Sequence, residues 1–156
     1  VLARAVGSGG SVYAFDIQQY AVYATRNLLI YDDYKELLEN GTINIICDTH
    51  ANMPAHVSEP ADVIVFNLGY LPGSDKNNTT KVSSTLNAVE DALDMLALNG
   101  LLCITMYSGH EEGLNEKNEL LSIGSRLDSK IYHVAYTSFI NQHNAPPEIL
   151  MITKKK

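Results

Sequence analysis

The sequence predicts an α/β fold, a doubly wound and mostly parallel sheet of Rossmann type with an antiparallel strand near the carboxyl end. Two observations carry that expectation. Short β-branched apolar runs alternate with stretches of helical periodicity, the order of a parallel sheet with helices on both faces. Most of these runs also stop at a polar residue, and in such sheets the carboxyl ends of the strands open onto one ligand-binding edge. With 156 residues, the chain can build one core of ordinary size and is read as a single domain.

The elements follow in order. Residues 1–6 read as the end of a helix, and the Gly-Ser-Gly-Gly run at 7–10 as a helix-to-strand turn. Residues 11–15 form a strand ending at Asp16. Residues 18–30 are helical, with Tyr20, Ala21, Ala24 and Leu28 as an apolar stripe. A short helix at 33–39 is closed by Asn40-Gly41, a good helix stop. Ile43–Cys47 is the next strand and ends at Asp48. Val63, Ile64, Val65 and Phe66 form a buried strand that stops at Asn67, after which Gly69, Pro72 and Gly73 force a compact turn. Residues 82–98 give a long amphipathic helix stopped by Asn99-Gly100. A buried strand covers 101–106, and a helix covers 111–127 with Leu114, Leu120, Leu121 and Leu127 inward. Residues 130–139 and 148–153 are two strands, antiparallel to each other, around Pro146-Pro147. Cys47 and Cys103 lie inside apolar runs and read as reduced core residues.

Composition narrows the function classes. A formal net charge of −7 is unfavourable for a protein that grips phosphates, which usually shows basic patches. The only dense basic cluster, Lys154-Lys155-Lys156, reads as a solvated tail. An RNA partner would therefore need a local basic surface or a second subunit of a homodimer. No apolar run approaches the roughly 18 residues of a membrane helix. The start shows no basic leader or long apolar segment, so the expected compartment is the cytoplasm. His50 and His56 have no third ligand at useful spacing, and no metal is expected.

The polar residues fall in a pattern. Asp16, Asp48-Thr49-His50, Asn67, Ser108-Gly109-His110-Glu111 and Asn141-Gln142-His143-Asn144 each follow a strand. Any one could be an ordinary polar loop; five together favour a site. The segment after Phe66 is the most informative. Asn67 offers an amide at a strand end, Gly69 allows close approach to the backbone, and Tyr70 offers a flat aromatic face.

These segments carry a resemblance. NLGYLPGSDK at 67–76, GHEEG at 109–113 and FINQHNAPPEIL at 139–150 resemble the YtqB/MnmM group of class I S-adenosylmethionine-dependent methyltransferases, also called the rRNA methylase family. The similarity runs from residue 1 to the end. It implies a methyltransferase that uses S-adenosyl-L-methionine and acts on the anticodon arm of tRNA. There it would convert the 5-aminomethyl group of a wobble (2-thio)uridine into 5-methylaminomethyl. The alternatives are a methyltransferase for an rRNA base or a small amine, and a cofactor-binding module without catalysis. Members of the family begin with a central strand and a loop similar to Asp-Ala-Thr-x-Gly-x-Gly. That segment is absent here, so the chain is expected to be an N-terminally incomplete form of one methyltransferase domain.

The resemblance also implies roles. Asp16, with Ile17, would meet the ribose hydroxyls of the cofactor; the same carboxylate could instead cap the helix that follows. Asp48, Thr49 and His50 would sit against the adenine, unless they form only a local turn network. Asn67, Leu68 and Gly69 complete the expected cofactor contacts. Asn67 and Tyr70 loosely resemble the Asn-Pro-Pro-Tyr loop of amino methyltransferases, with Leu68-Gly69 in place of the prolines. Asn67, Tyr70 and His110 are therefore the catalytic candidates, and Tyr70 could stack on an extruded base. Lys76 could meet phosphate. His110 or Glu111 could take the proton of an alkylammonium, or the acidic pair could simply favour a helix start. Asn141, Gln142 and Asn144 suit the edges of a base, or a well-bonded turn.

Overall fold

A computed structural model describes residues 2–68 and 82–155. They fall into two compact units, Val1–Val57 and Ser58–Lys156.

The first unit holds helix α1 (Leu2–Ala5), strand β1 (Val12–Asp16), helices α2 (Gln19–Tyr31) and α3 (Lys35–Glu39), strand β2 (Ile43–Cys47) and helix α4 (Met53–His56). A single turn of 3-10 helix at Gly7–Gly9 joins α1 to β1, as the glycine run suggests. β1 and β2 pair in parallel, from Val12 opposite Ile43 to Asp16 opposite Cys47. The chain leaves α3 through Gly41 at φ 79°, a left-handed backbone that favours glycine. Ile43 and Met53 are the buried anchors.

Two expectations fail in this unit. Tyr20, Ala24 and Leu28 do not form a buried stripe; all three are exposed, and α2 turns Ala21, Val22 and Leu29 inward instead. A two-stranded sheet is narrow and covers only a thin line of helix residues. Cys47 is exposed rather than in a core, because it is the last residue of its strand. Cys103 is half-buried, and both thiols are free.

The second unit holds β3 (Ala61–Leu68), α5 (Val82–Met95), β4 (Leu96–Met106), α6 (Glu111–Arg126), β5 (Tyr132–Thr137) and β6 (Glu148–Lys154). The sheet runs β3-β4-β6-β5. β3 and β4 are parallel, whereas β6 is antiparallel to both β4 and β5. The antiparallel closing strand is thus realised, inserted between β4 and β5. One face of the sheet carries the core: Ile64 and Phe66, then Leu102, Ile104 and Met106, then Leu150 and Ile152. Thr85, Ala88, Val89, Ala92 and Leu93 recur at helical spacing on α5 and are all buried.

The boundary between α5 and β4 differs from expectation. The helix ends at Met95, and Leu96 already pairs with Ala61. The register then shifts, with Val63 opposite Leu101. Asn99 sits at φ 64° inside this bulge. Gly100 is needed there, since a Cβ would lie 2.8 Å from the Ala97 carbonyl oxygen and 3.0 Å from that of Ala61. So Asn99-Gly100 marks a bulge in a strand, not the end of a helix. On α6 the inward residues are Gly113, Leu120 and Gly124, with Leu121 half-buried and Leu114 exposed; Leu127, the residue that ends the helix, is half-buried. β5 also stops at Thr137, leaving Phe139 in the connection to β6.

Leu120 has no exposed surface, and it packs α6 onto the sheet. Leu120→Ala should cost about 2–5 kcal/mol, the range for emptying a buried leucine site, read from urea unfolding. A loss under about 1 kcal/mol would contradict this packing.

Candidate functional site

In the first unit, the carboxyl ends of β1 and β2 place Asp16 beside Cys47. The Asp16 Oδ1 accepts the backbone N–H of Gln18 at 2.8 Å. This is a local turn ahead of α2, whose N-cap residue is Gln18 and which has no side-chain cap hydrogen bond. Ile17 is exposed, and its carbonyl oxygen is 3.9 Å from the Cys47 sulfur.

After β2 the chain makes a dense polar turn. Asp48 Oδ1 accepts the Thr49 backbone N–H at 2.7 Å and the Asn52 side-chain amide at 2.9 Å. Its other oxygen lies 2.9 Å from His56 Nε2. The His56 hydrogen bond, then those of Thr49 and Asn52, hold this carboxyl below its ordinary range. Thr49 Oγ1 accepts from Ala51 and starts the 3-10 turn His50–Asn52. Burial pushes the His50 imidazole below its usual value, so it favours the neutral form. His56 also stands edge-on to Phe15, with centroids 5.6 Å apart. Among the described residues, no group of three His, Cys, Asp or Glu converges on a metal site.

In the second unit, Asn67 lies within β3, which continues through Leu68. Asn67 is opposite Thr105 in the ladder, and its Oδ1 accepts the Tyr107 hydroxyl at 3.0 Å. Gly69, Tyr70 and Lys76 lie outside the described residues.

His110 caps α6: its Nδ1 accepts the Gly113 N–H at 2.9 Å. A neutral ring that accepts at Nδ1 carries its proton on Nε2. Glu111 and Glu112 occupy the first turn of α6, where carboxylates favour the helix dipole. Both are exposed, as are Asn141, Gln142 and Asn144. The structure brings none of these three together with Asn67 through a direct hydrogen bond.

Sequence reasoning missed a buried cluster at the same end of β4. Glu148, the first residue of β6, is only 9% exposed. It accepts from Ser108 Oγ at 3.3 Å, from the Tyr136 hydroxyl and from the Lys117 ammonium. The Lys117 nitrogen stands 5.6 Å from the centroid of the Tyr136 ring. Burial alone would raise the Glu148 carboxyl, but Lys117 and Tyr136 outweigh it and hold it below its ordinary value. The same bond to Glu148 holds Lys117 above its own. A second pair joins α5 to α6. The fully buried Thr85 hydroxyl donates to Glu116 Oε1 at 2.7 Å. Here burial wins, and the Glu116 carboxyl is pushed up. The sequence signal was a lone charge among apolar neighbours, as at Pro147-Glu148-Ile149.

The raised Glu116 value has a sign. A carboxyl that holds its proton more tightly in the fold favours folding below its ordinary value of 4.5. Stability is then lost as pH rises through the raised folded value. Glu116→Gln keeps an acceptor for Thr85 without the charge. Its urea midpoint should exceed that of the parent at neutral pH, with the gap closing in acid. A midpoint below the parent's at every pH would contradict the assignment.

Three comparisons with known proteins bear on this arrangement. The profile of the family described as "Putative rRNA methylase" matches residues 12–153. A tRNA (mnm(5)s(2)U34)-methyltransferase, chloroplastic, of Arabidopsis thaliana is 33% identical over 99% of this chain. The match covers 57% of that relative, so the chain spans little more than half its length. Among solved structures, a "putative rRNA-methylase" from Clostridium thermocellum has a TM-score of 0.88 and 34% identity, covering 98% of this chain and 80% of that one. A "putative methyltransferase" from Streptococcus mutans, in complex with SAH, has a TM-score of 0.80 and 33% identity, covering 92% of this chain and 76% of the other.

Proposed function

The chain belongs to the family described as "Putative rRNA methylase", and from that premise we propose that it is an S-adenosylmethionine-dependent tRNA methyltransferase. Its fold is the Rossmann-like fold of methyltransferases, with a parallel core and antiparallel pairing near the carboxyl end. The observation that carries the substrate is the identity, across 99% of the chain, to a relative named for the wobble position of tRNA. The proposed reaction adds a methyl group to the 5-aminomethyl arm of wobble (2-thio)uridine. The proposed RNA contact is the anticodon arm, with a homodimer available to supply basic surface that the net charge of −7 does not promise.

The donor set fits such a cofactor. Asp16 uses Oδ1 on Gln18, and its second oxygen suits a ribose hydroxyl. Ile17 offers an exposed apolar side chain beside it. Asp48 and Thr49, held in their turn, and the neutral-favouring His50 suit an adenine better than a phosphate. When bound, the cofactor supplies an electrophilic methyl group. On the acceptor side, the Asn67 oxygen is proposed to hold an amine N–H, Leu68 and Gly69 are proposed to complete the cofactor contacts, and Tyr70 is proposed as the stacking platform for the base. His110, which caps α6, is proposed as a catalytic residue, and Glu111 is proposed to attract the cationic arm and accept the proton that it must shed. Lys76 is proposed to meet phosphate, and Asn141, Gln142 and Asn144 the base edge.

An experiment tests the reading. The purified protein should transfer methyl groups to tRNA carrying aminomethyl-uridine and not to the unmodified tRNA or to rRNA. Asp16→Ala should remain folded and lose roughly 1.5–3 kcal/mol of S-adenosylmethionine affinity by calorimetry, the worth of charged hydrogen bonds. Transfer to rRNA alone would favour the rRNA reading. Unchanged affinity in the folded variant would remove Asp16 from the site.

A further inference from the structure

Tyr107 is the first residue beyond β4, and everything around its backbone is fixed. Met106, just before it, is 1% exposed and pairs with Leu68 on one side and Glu148 on the other. Ser108, just after it, is tied to the buried Glu148. From α6, Gly113 presses so closely that a Cβ there would lie 2.0 Å from the Tyr107 carbonyl oxygen. The side chain leaves this clamped backbone with its hydroxyl on the Asn67 amide oxygen, 3.0 Å away.

An amide has two ends of nearly equal shape and opposite chemistry: an oxygen that accepts and an NH₂ that donates. Which end faces a substrate is set by its partners. Tyr107 is 36% exposed and Asn67 is exposed as well. A hydrogen bond between such groups adds little to stability, so its consequence is orientation.

We propose that Tyr107 is a positioning residue for Asn67. Its hydroxyl occupies one lone pair of Oδ1 and tethers the amide at the end of β4 in the orientation the structure shows. The second lone pair is left for an N–H of the amine that receives the methyl group. Without the hydroxyl the amide loses this tether and can turn away, or over to present NH₂, which cannot accept. This inference rests on the acceptor role given to Asn67 above.

The test is Tyr107→Phe in the intact protein, with Asn67→Ala and the double variant beside it. In isotope-labelled protein, the Asn67 side-chain NH₂ signals, assigned by their loss in Asn67→Ala, should shift and exchange faster with water in Tyr107→Phe. The unfolding midpoint should not move. For methyl transfer to aminomethyl-uridine tRNA, kcat should fall about tenfold or more, as misplacement of a reacting group can cost. The KM for tRNA and the affinity for S-adenosylmethionine should stay near those of the parent. In the Asn67→Ala background the tyrosine change should cost nothing further. Unmoved amide signals overturn the proposal whether or not transfer is detected. So does an equal loss of kcat in both backgrounds. A parent protein that transfers nothing, with the amide signals moving as expected, would instead count against the proposed function.

Discussion

The burial of alternate residues on β4 is the constraint from which the rest of the second unit follows. Leu102, Ile104 and Met106 have at most 1% of their surface exposed, and such a run can only sit in the middle of a sheet with one face covered. That requirement fixes the register on both sides. β3 is then aligned so that Asn67 and Leu68 reach the same level as Thr105 and Met106. β6 enters from the opposite direction and delivers Glu148 to that level as well. A one-residue slip would move every core side chain to the other face. The polar residues at the end of β4 therefore inherit their positions from apolar packing.

Charge is handled there by saturation. Glu148 is a buried carboxylate with three donors from three different elements: Ser108 after β4, Lys117 on α6 and Tyr136 on β5. Removing a carboxylate from water is costly, and its partners offset that cost only when the geometry is good. Such a cluster contributes more to fixing one arrangement than to net stability. Its effect is to hold the Tyr107–His110 turn, from which Tyr107 reaches Asn67 and His110 caps α6. Glu116 is the contrast: with Thr85 as its hydroxyl donor, burial prevails and the carboxyl favours its proton.

Much of this was legible in the sequence where the signal is local. Ile43–Cys47 was read with its observed bounds, and β6 and α6 were each placed to within one residue. Their apolar periods and stop residues agree, so local and global preferences point the same way. The α5–β4 boundary was misplaced because Leu96-Ala97-Leu98 continues an apolar helical pattern, while the decisive fact, pairing of Leu96 with Ala61, is non-local. The stripe on α2 failed for a related reason: an apolar pattern shows which residues could be covered, not how wide the covering sheet is. The pairings at the strand ends were invisible. Asn67 and Tyr107 are 40 residues apart, as are Ser108 and Glu148, and Thr85 and Glu116 are 31 apart. In the sequence, nothing marks Tyr107 beyond its place after the buried run 101–106. Only the register shows that its hydroxyl faces an amide.

The proposed reaction is methylation of an aminomethyl arm on a wobble uridine. Mass spectrometry of tRNA nucleosides from cells lacking the gene tests it most directly. In those cells 5-aminomethyl-uridine, or its 2-thio form, should accumulate while the 5-methylaminomethyl nucleoside disappears, with rRNA methylation unchanged. Unchanged wobble nucleosides together with the loss of a methyl group from an rRNA base would contradict it.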